Sequence, residues 1–182
     1  DVLIDADPSI RFGTYSILDH EVLDVIQLIK ERGIKAYALT HGGWGSYEGG
    51  CADDERLKEL RQVGIDFASL SQHSGRFKIP QEDKVFNHNG YKAALVSHGI
   101  IFARNRCTME LFCKGKVLFE ALNYLGECPE HVIFIDDRKY NLEAVQKECM
   151  THSLSFQGFE YLSNKKKAAP GLLSNLISWF KV

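Results

Sequence analysis

The sequence predicts an α/β protein, a three-layer sandwich in which helices cover both faces of a mostly parallel central sheet. Three observations carry this. Short apolar runs alternate with amphipathic stretches along the chain, the pattern of strands joined by crossover helices. Several of those runs stop at a carboxylate or a hydroxyl, as buried strands do where they open on a polar crevice. The 182 residues, 45% hydrophobic and 25% charged, suffice for one well-buried core and show no disordered, collagenous or fibrous bias. We read residues 1–182 as a single domain.

The elements follow in order. Val2, Leu3 and Ile4 form a short apolar run that ends at Asp5. Asp19 caps a helix whose Val22, Val25, Ile26 and Ile29 share one face, and Gly33 stops it. Residues 34–39 read as a strand ending at Thr40. Residues 41–50 are a loop with five glycines. Residues 52–63 form a second helix, with Leu57, Leu60 and Val63 inward, and 64–67 start another extended piece. Residues 68–98 show weak periodicity and read as a small insertion or lid. Residues 99–103 are a strand, and 116–125 a helix ended by Gly126 and kept closed by Pro129. The run 131–135 is the clearest strand and stops at Asp136 and Asp137. Asn141 caps a helix through Glu148, and 153–156 make a last short strand. Lys165, Lys166 and Lys167 then precede Pro170 and a helix with an apolar face of Leu172, Leu173, Leu176, Ile177 and Phe180.

The formal net charge of −2 gives no global pull toward nucleic acid. No apolar run approaches the ~18 residues of a membrane span. Five cysteines, an odd number with no Cys-x-x-Cys pair, point to thiols in a reducing, cytoplasmic compartment and to small buried hydrophobes. No signal-peptide pattern is visible, and Asp1 in place of a Met implies residues missing ahead of it. The basic run and the last helix read as a solvated turn with a helix docked on the core, or as a membrane-surface contact.

Polar residues at the carboxyl ends of strands are the candidates for chemistry: Asp5 and Asp7, then Thr40, then Asp136 with Asp137. Lys114 lies one helix ahead of the last pair. Asp5-Ala6-Asp7-Pro8-Ser9 after an apolar strand resembles the first motif, Asp-x-Asp-x-Thr/Ser, of the haloacid dehalogenase superfamily. Thr40 resembles its second motif, Lys114 with Gly115 its third, and Val132 to Asp137 its fourth, an apolar strand with paired acids. The resemblance covers residues 1 to about 157. Receiver domains also use Asp, Thr and Lys, but there the paired acids come first, whereas here a pair follows the lysine.

The resemblance implies a Rossmann-like fold with little or no cap domain and a Mg²⁺-dependent phosphomonoesterase. In it Asp5 attacks phosphorus, and Asp7 protonates the leaving group and later activates water. Asp5, Asp136 and the backbone carbonyl of Asp7 hold Mg²⁺, with Asp137 a supporting or alternative ligand. Lys114 and the Thr40 hydroxyl bind the phosphoryl oxygens. Lys116 is a rival to Lys114. Ser9 keeps the hydroxyl of the first motif at the phosphate side, while Pro8 removes a backbone N–H there. His41, beside Thr40, reads as structural.

With only about 68–98 free to act as a lid, the cleft is expected to be open. It then suits a phosphate on a protein or peptide, phosphotyrosine first. Phe12, Tyr15, Trp44 and Tyr47 lie on loops that rim such a cleft, and Trp44 is the candidate to stack on an aromatic leaving group. A phosphatase of nucleotides or sugar phosphates, or a catalytically quiet binding module of the same fold, are the other readings. The chain also resembles small proteins of this superfamily from intracellular bacteria, which implies an effector acting in a host cytosol.

Overall fold

The computed structural model describes residues 3–5, 15–17, 21–41, 46–47, 50–69, 75–80, 91–105 and 110–160. In chain order the elements are β1 (Leu3–Asp5), β2 (Tyr15–Ile17), α1 (Glu21–Glu31), β3 (Ala38–Thr40), β4 (Ser46–Tyr47), β5 (Gly50–Cys51) and α2 (Ala52–Gln62). A 3₁₀ turn (Phe67–Ser69) leads to β6 (Gly75–Pro80), β7 (Tyr91–Ser97), β8 (Ile100–Phe102), β9 (Arg104–Asn105) and β10 (Glu110–Leu111). Then come α3 (Lys114–Leu125), β11 (His131–Asp136), α4 (Lys139–Thr151) and β12 (Ser155–Glu160).

The class is mixed α/β. Four strands form a sheet in the order β3-β8-β7-β6, with the β3–β8 pairing parallel and the β8–β7 and β7–β6 pairings antiparallel. β11 and β12 form a separate parallel pair with Asp136 opposite Glu160. β1 with β2, β4 with β5 and β9 with β10 are small antiparallel pairs.

Strand periodicity decides which helix covers which face. In β8, Ile101 packs with Val117, Ala121 and Val145 of α3 and α4, while Ile100 and Phe102 pack with Leu57 of α2. In β11, Val132 and Phe134 join the α3–α4 side, and Ile133 packs with Val25 of α1. The strands are thus sandwiched, with α3 and α4 on one face and α1 and α2 on the other. Among the described residues, no helix is long and apolar enough to cross a membrane.

Several elements differ from their sequence-based expectation. The sheet is mixed rather than mostly parallel, because 68–98 contribute β6 and β7 to it. Phe77, Ile79, Ala94 and Val96 bury one face of that hairpin against the main core. The strand expected at 34–39 is only Ala38–Thr40. The extended piece expected at 64–67 is a turn, because Asp66 Oδ1 accepts from the Ala68 N–H (3.2 Å) and Ser69 Oγ donates to the Asp66 carbonyl (2.8 Å). Tyr15 and Tyr47 lie in short strands rather than loops. Of the described thiols, Cys149 is buried as expected, whereas Cys113 and Cys128 are exposed. Asp7, Ser9, Phe12, Trp44, the three lysines at 165–167 and the final helix lie outside the described residues.

The last strand begins two residues later than expected because Ser153 ends α4. It adopts φ 57°. Its N–H donates to the Met150 carbonyl (3.2 Å) and that of Leu154 to the Cys149 carbonyl (2.8 Å). Gly126 ends α3 in the same way, at φ 68°, with Gly126 N–H to Asn123 (3.2 Å) and Glu127 N–H to Leu122 (2.9 Å). This is the paired-bond terminator that favours glycine, and a serine there carries the Cβ penalty of the left-handed region. Ser153→Gly should therefore raise stability by about 0.5–1 kcal/mol in urea unfolding, the penalty less the extra freedom of glycine in the unfolded chain.

Candidate functional site

β11 is built from β-branched and aromatic residues and ends at a carboxylate. The strand pleat turns Ile135 outward and Asp136 inward, so that Asp136 is only 7% exposed. A buried carboxylate must be hydrogen-bonded. Asp136 Oδ2 accepts from Lys114 Nζ at 2.6 Å. Its Oδ1 accepts from the Arg138 backbone N–H and from Asn141 Nδ2, both at 2.9 Å. The carboxylate so caps the turn into α4, where Arg138 itself makes no side-chain cap.

Lys114 is the first residue of α3. Both partners are buried, with side chains 10% (Lys114) and 4% (Asp136) exposed. The ammonium also lies 6.0 Å from the centre of the Phe134 ring. A cation in the first turn of a helix opposes the helix dipole, so Asp136 offsets both the dipole and the loss of water. Gly115 allows the approach: a Cβ there would run into the Ala144 carbonyl of α4. With that glycine the first turn of α3 packs directly on α4, beside the turn that holds Asp136.

Burial pushes the Asp136 carboxyl upward, but the Lys114 ammonium, the Asn141 amide and the Arg138 N–H outweigh it, so the group sits below its usual value. His41 follows β3 and is half-buried, with Nε2 3.0 Å from the Phe112 carbonyl oxygen. Burial lowers its pKa; the Phe112 carbonyl and Asp136 work against this, and Lys114 and Arg138 work with it.

The structure brings Lys114 and Asp136 together, and it is Lys114 rather than Lys116 that makes this pair. Thr40 ends β3, half-buried, its carbonyl accepting from the Ala103 N–H at 2.8 Å. Asp5 ends β1, as expected. Asp137 is exposed, 3.8 Å from Arg138 Nε. Asn141 was expected as a helix cap but lies inside α4, 3% exposed, reaching back to Asp136. The signal in the sequence is its spacing, one helical turn after the strand-end acids, where a side chain can return to the turn. Among the described residues, no group of three or more His, Cys, Asp or Glu could hold a metal ion.

Removing one partner of a buried pair strands the other charge. Lys114→Met should cost about 3 kcal/mol in urea unfolding. The stability from the lowered Asp136 carboxyl is complete above the unfolded carboxylate value of about 3.9 and is lost as pH falls through the folded value. Without Lys114 the folded value rises, so acid unfolding should begin at a higher pH in Lys114→Met than in the wild type.

No curated protein and no solved structure matches the chain. One family, described as "Protein of unknown function (DUF2608)", matches residues 5–179. That match takes in the strand-end acids, Lys114 and Asn141 together, and on its extent the chain belongs to the DUF2608 family.

Proposed function

We propose that the protein is a phosphomonoesterase of haloacid dehalogenase type, with a Rossmann-like core and little or no cap. The observation that carries this reading is the buried Lys114–Asp136 pair with Asn141 at the end of β11. Such a group fits a phosphate site. Among the described residues, Lys114 Nζ gives one of its three donors to Asp136, and the others would serve phosphoryl oxygens. Leu3–Asp5 pairs with Tyr15–Ile17 rather than with β3 or β11, so the reading further requires Asp5 to reach the corner of Lys114 and Asp136.

Asp5 would attack phosphorus in line, forming an aspartyl-phosphate as the bond to the leaving oxygen breaks. Asp7 would give its proton to that oxygen, then take one from the water that attacks the intermediate, returning Asp5 and releasing phosphate. Thr40, Ser9 and Lys114 would hold the phosphoryl oxygens. The donor set suits Mg²⁺, which takes few carboxylates and keeps water. Asp136 Oδ1 already accepts two bonds and Oδ2 one, which leaves Oδ2 an acceptor position, with Asp5, Asp7 and Asp137 as the other oxygen sources. When bound, the cation would neutralise charge between the carboxylate and the phosphate dianion.

The substrate reading rests on the lid. With β6 and β7 in the sheet, 68–98 spare mainly residues 81–90 to cover a cleft. An open cleft would favour a phosphoprotein, and phosphotyrosine carries its phosphate out on a rigid ring.

An aryl phosphate should be hydrolysed in Mg²⁺ and not in EDTA. Folded Asp5→Asn should fall below about a thousandth of wild-type turnover. A folded wild type inert in Mg²⁺ would leave the binding-module reading.

Phosphotyrosine peptides should show higher kcat/KM than phosphoserine peptides or nucleotides. Trp44→Ala should erode that preference by about 0.5–1.5 kcal/mol. Faster turnover of a nucleotide or sugar phosphate would select the metabolite reading.

A further inference from the structure

The end of β3 is tied to the start of α3 by a closed circuit of hydrogen bonds. The Ala103 N–H donates to the Thr40 carbonyl (2.8 Å), and the Phe112 N–H donates to the Ala103 carbonyl (2.9 Å). The Phe112 carbonyl then meets His41 Nε2 at 3.0 Å, and His41 is bonded covalently to Thr40. The circuit closes two residues ahead of Lys114.

The start of α3 needs such an anchor. Cys113 precedes the helix in an extended conformation and makes no side-chain cap. Lys114 begins the helix with its charge opposed by the dipole, and its ammonium must reach Asp136 on a different element. If the lead-in slides, a side chain with four rotatable bonds follows it. We propose that His41 is the positioning residue for Lys114: its imidazole, donating from Nε2 to the Phe112 carbonyl, fixes the backbone from which the lysine departs.

The chemistry of the bond sets the state of the ring. A carbonyl oxygen only accepts, so Nε2 carries the proton. Burial favours the neutral imidazole, with Lys114 and Arg138 acting in the same direction. A neutral ring holds the carbonyl without adding a second cation beside Lys114. Phe112 lies two residues ahead of Lys114, so this bond places the His41 ring beside the start of α3. For catalysis the inference rests on Lys114 being the phosphate-binding lysine proposed above; the positioning itself can be read without any turnover.

The experiment compares wild type, His41→Ala and His41→Gln, whose amide nitrogen reaches about as far as Nε2. Each protein is acetylated briefly with an amine-selective reagent, and labelling of Lys114 is read by peptide mass spectrometry. The buried Cys149 thiol, labelled in parallel, reports the integrity of the core. His41→Ala should raise Lys114 labelling about tenfold, as expected for local opening, while Cys149 stays protected and His41→Gln restores the wild-type pattern. Unchanged Lys114 labelling in His41→Ala overturns the proposal. So does exposure of Cys149 together with Lys114, which would make His41 a support of the whole core, and so does failure of His41→Gln to restore protection. Aryl phosphate kinetics on the same proteins separate the two readings. An inactive wild type counts against the phosphatase alone, whereas loss of kcat in His41→Ala with rescue in His41→Gln joins the two.

Discussion

A lysine and an aspartate held out of water at 2.6 Å constrain everything around them. Neither charge is tolerable in that place alone, and their mutual attraction covers the desolvation cost only with close geometry and further hydrogen bonds. Asp136 therefore needs the Arg138 N–H and Asn141, which sets where α4 begins. Lys114 needs α3 to start close against α4, which requires a residue without a side chain at 115. The helix termini that frame the pair are consequences of it as much as causes.

The parts of this arrangement that rest on periodicity were legible in the sequence. His131 to Asp136 is a strand of strong β formers, and Val117, Leu118, Ala121 and Leu122 mark the buried face of α3. What escaped were places where local hydrogen bonding or position in the sheet decided the outcome. Asp66 turned an apolar stretch into a 3₁₀ turn by accepting from its own backbone. The β6–β7 hairpin escaped because its alternation is short and diluted by glycine, proline and alanine, and its burial comes from α3 rather than from its own strong hydrophobicity.

The candidate residues show the same division. Asp5, Thr40, Lys114 and the paired acids stood out because each ends a strand or opens a helix. Asn141 did not, because an asparagine near a helix start reads equally as a cap. The distinction lies in a side-chain direction that only the packed turn settles, and in α4 it points back to Asp136. Lys114 over Lys116 was likewise a matter of two residues in the helix start. α3 begins at Lys114 although neither the dipole nor Gly115 favours it, because the ion pair and the close approach to α4 outweigh about 1 kcal/mol of helix propensity.

The way the charges are distributed along the chain separates two tasks. Lys114, Asp136 and Asn141 fall within the run of elements from α3 to β12, whose contacts are close in sequence and need little loop closure. That run can assemble its cation, its counter-charge and the lowered Asp136 carboxyl as one preorganised platform. Thr40 ends β3 and His41 follows it, more than seventy residues earlier, and Asp5 comes from the first strand. These long-range pieces carry the entropy of closing the chain, so they benefit from a platform whose electrostatics are already set. The circuit from Thr40 through Ala103 and Phe112 is the physical link between the two groups: it ties the end of β3 to the backbone that delivers Lys114.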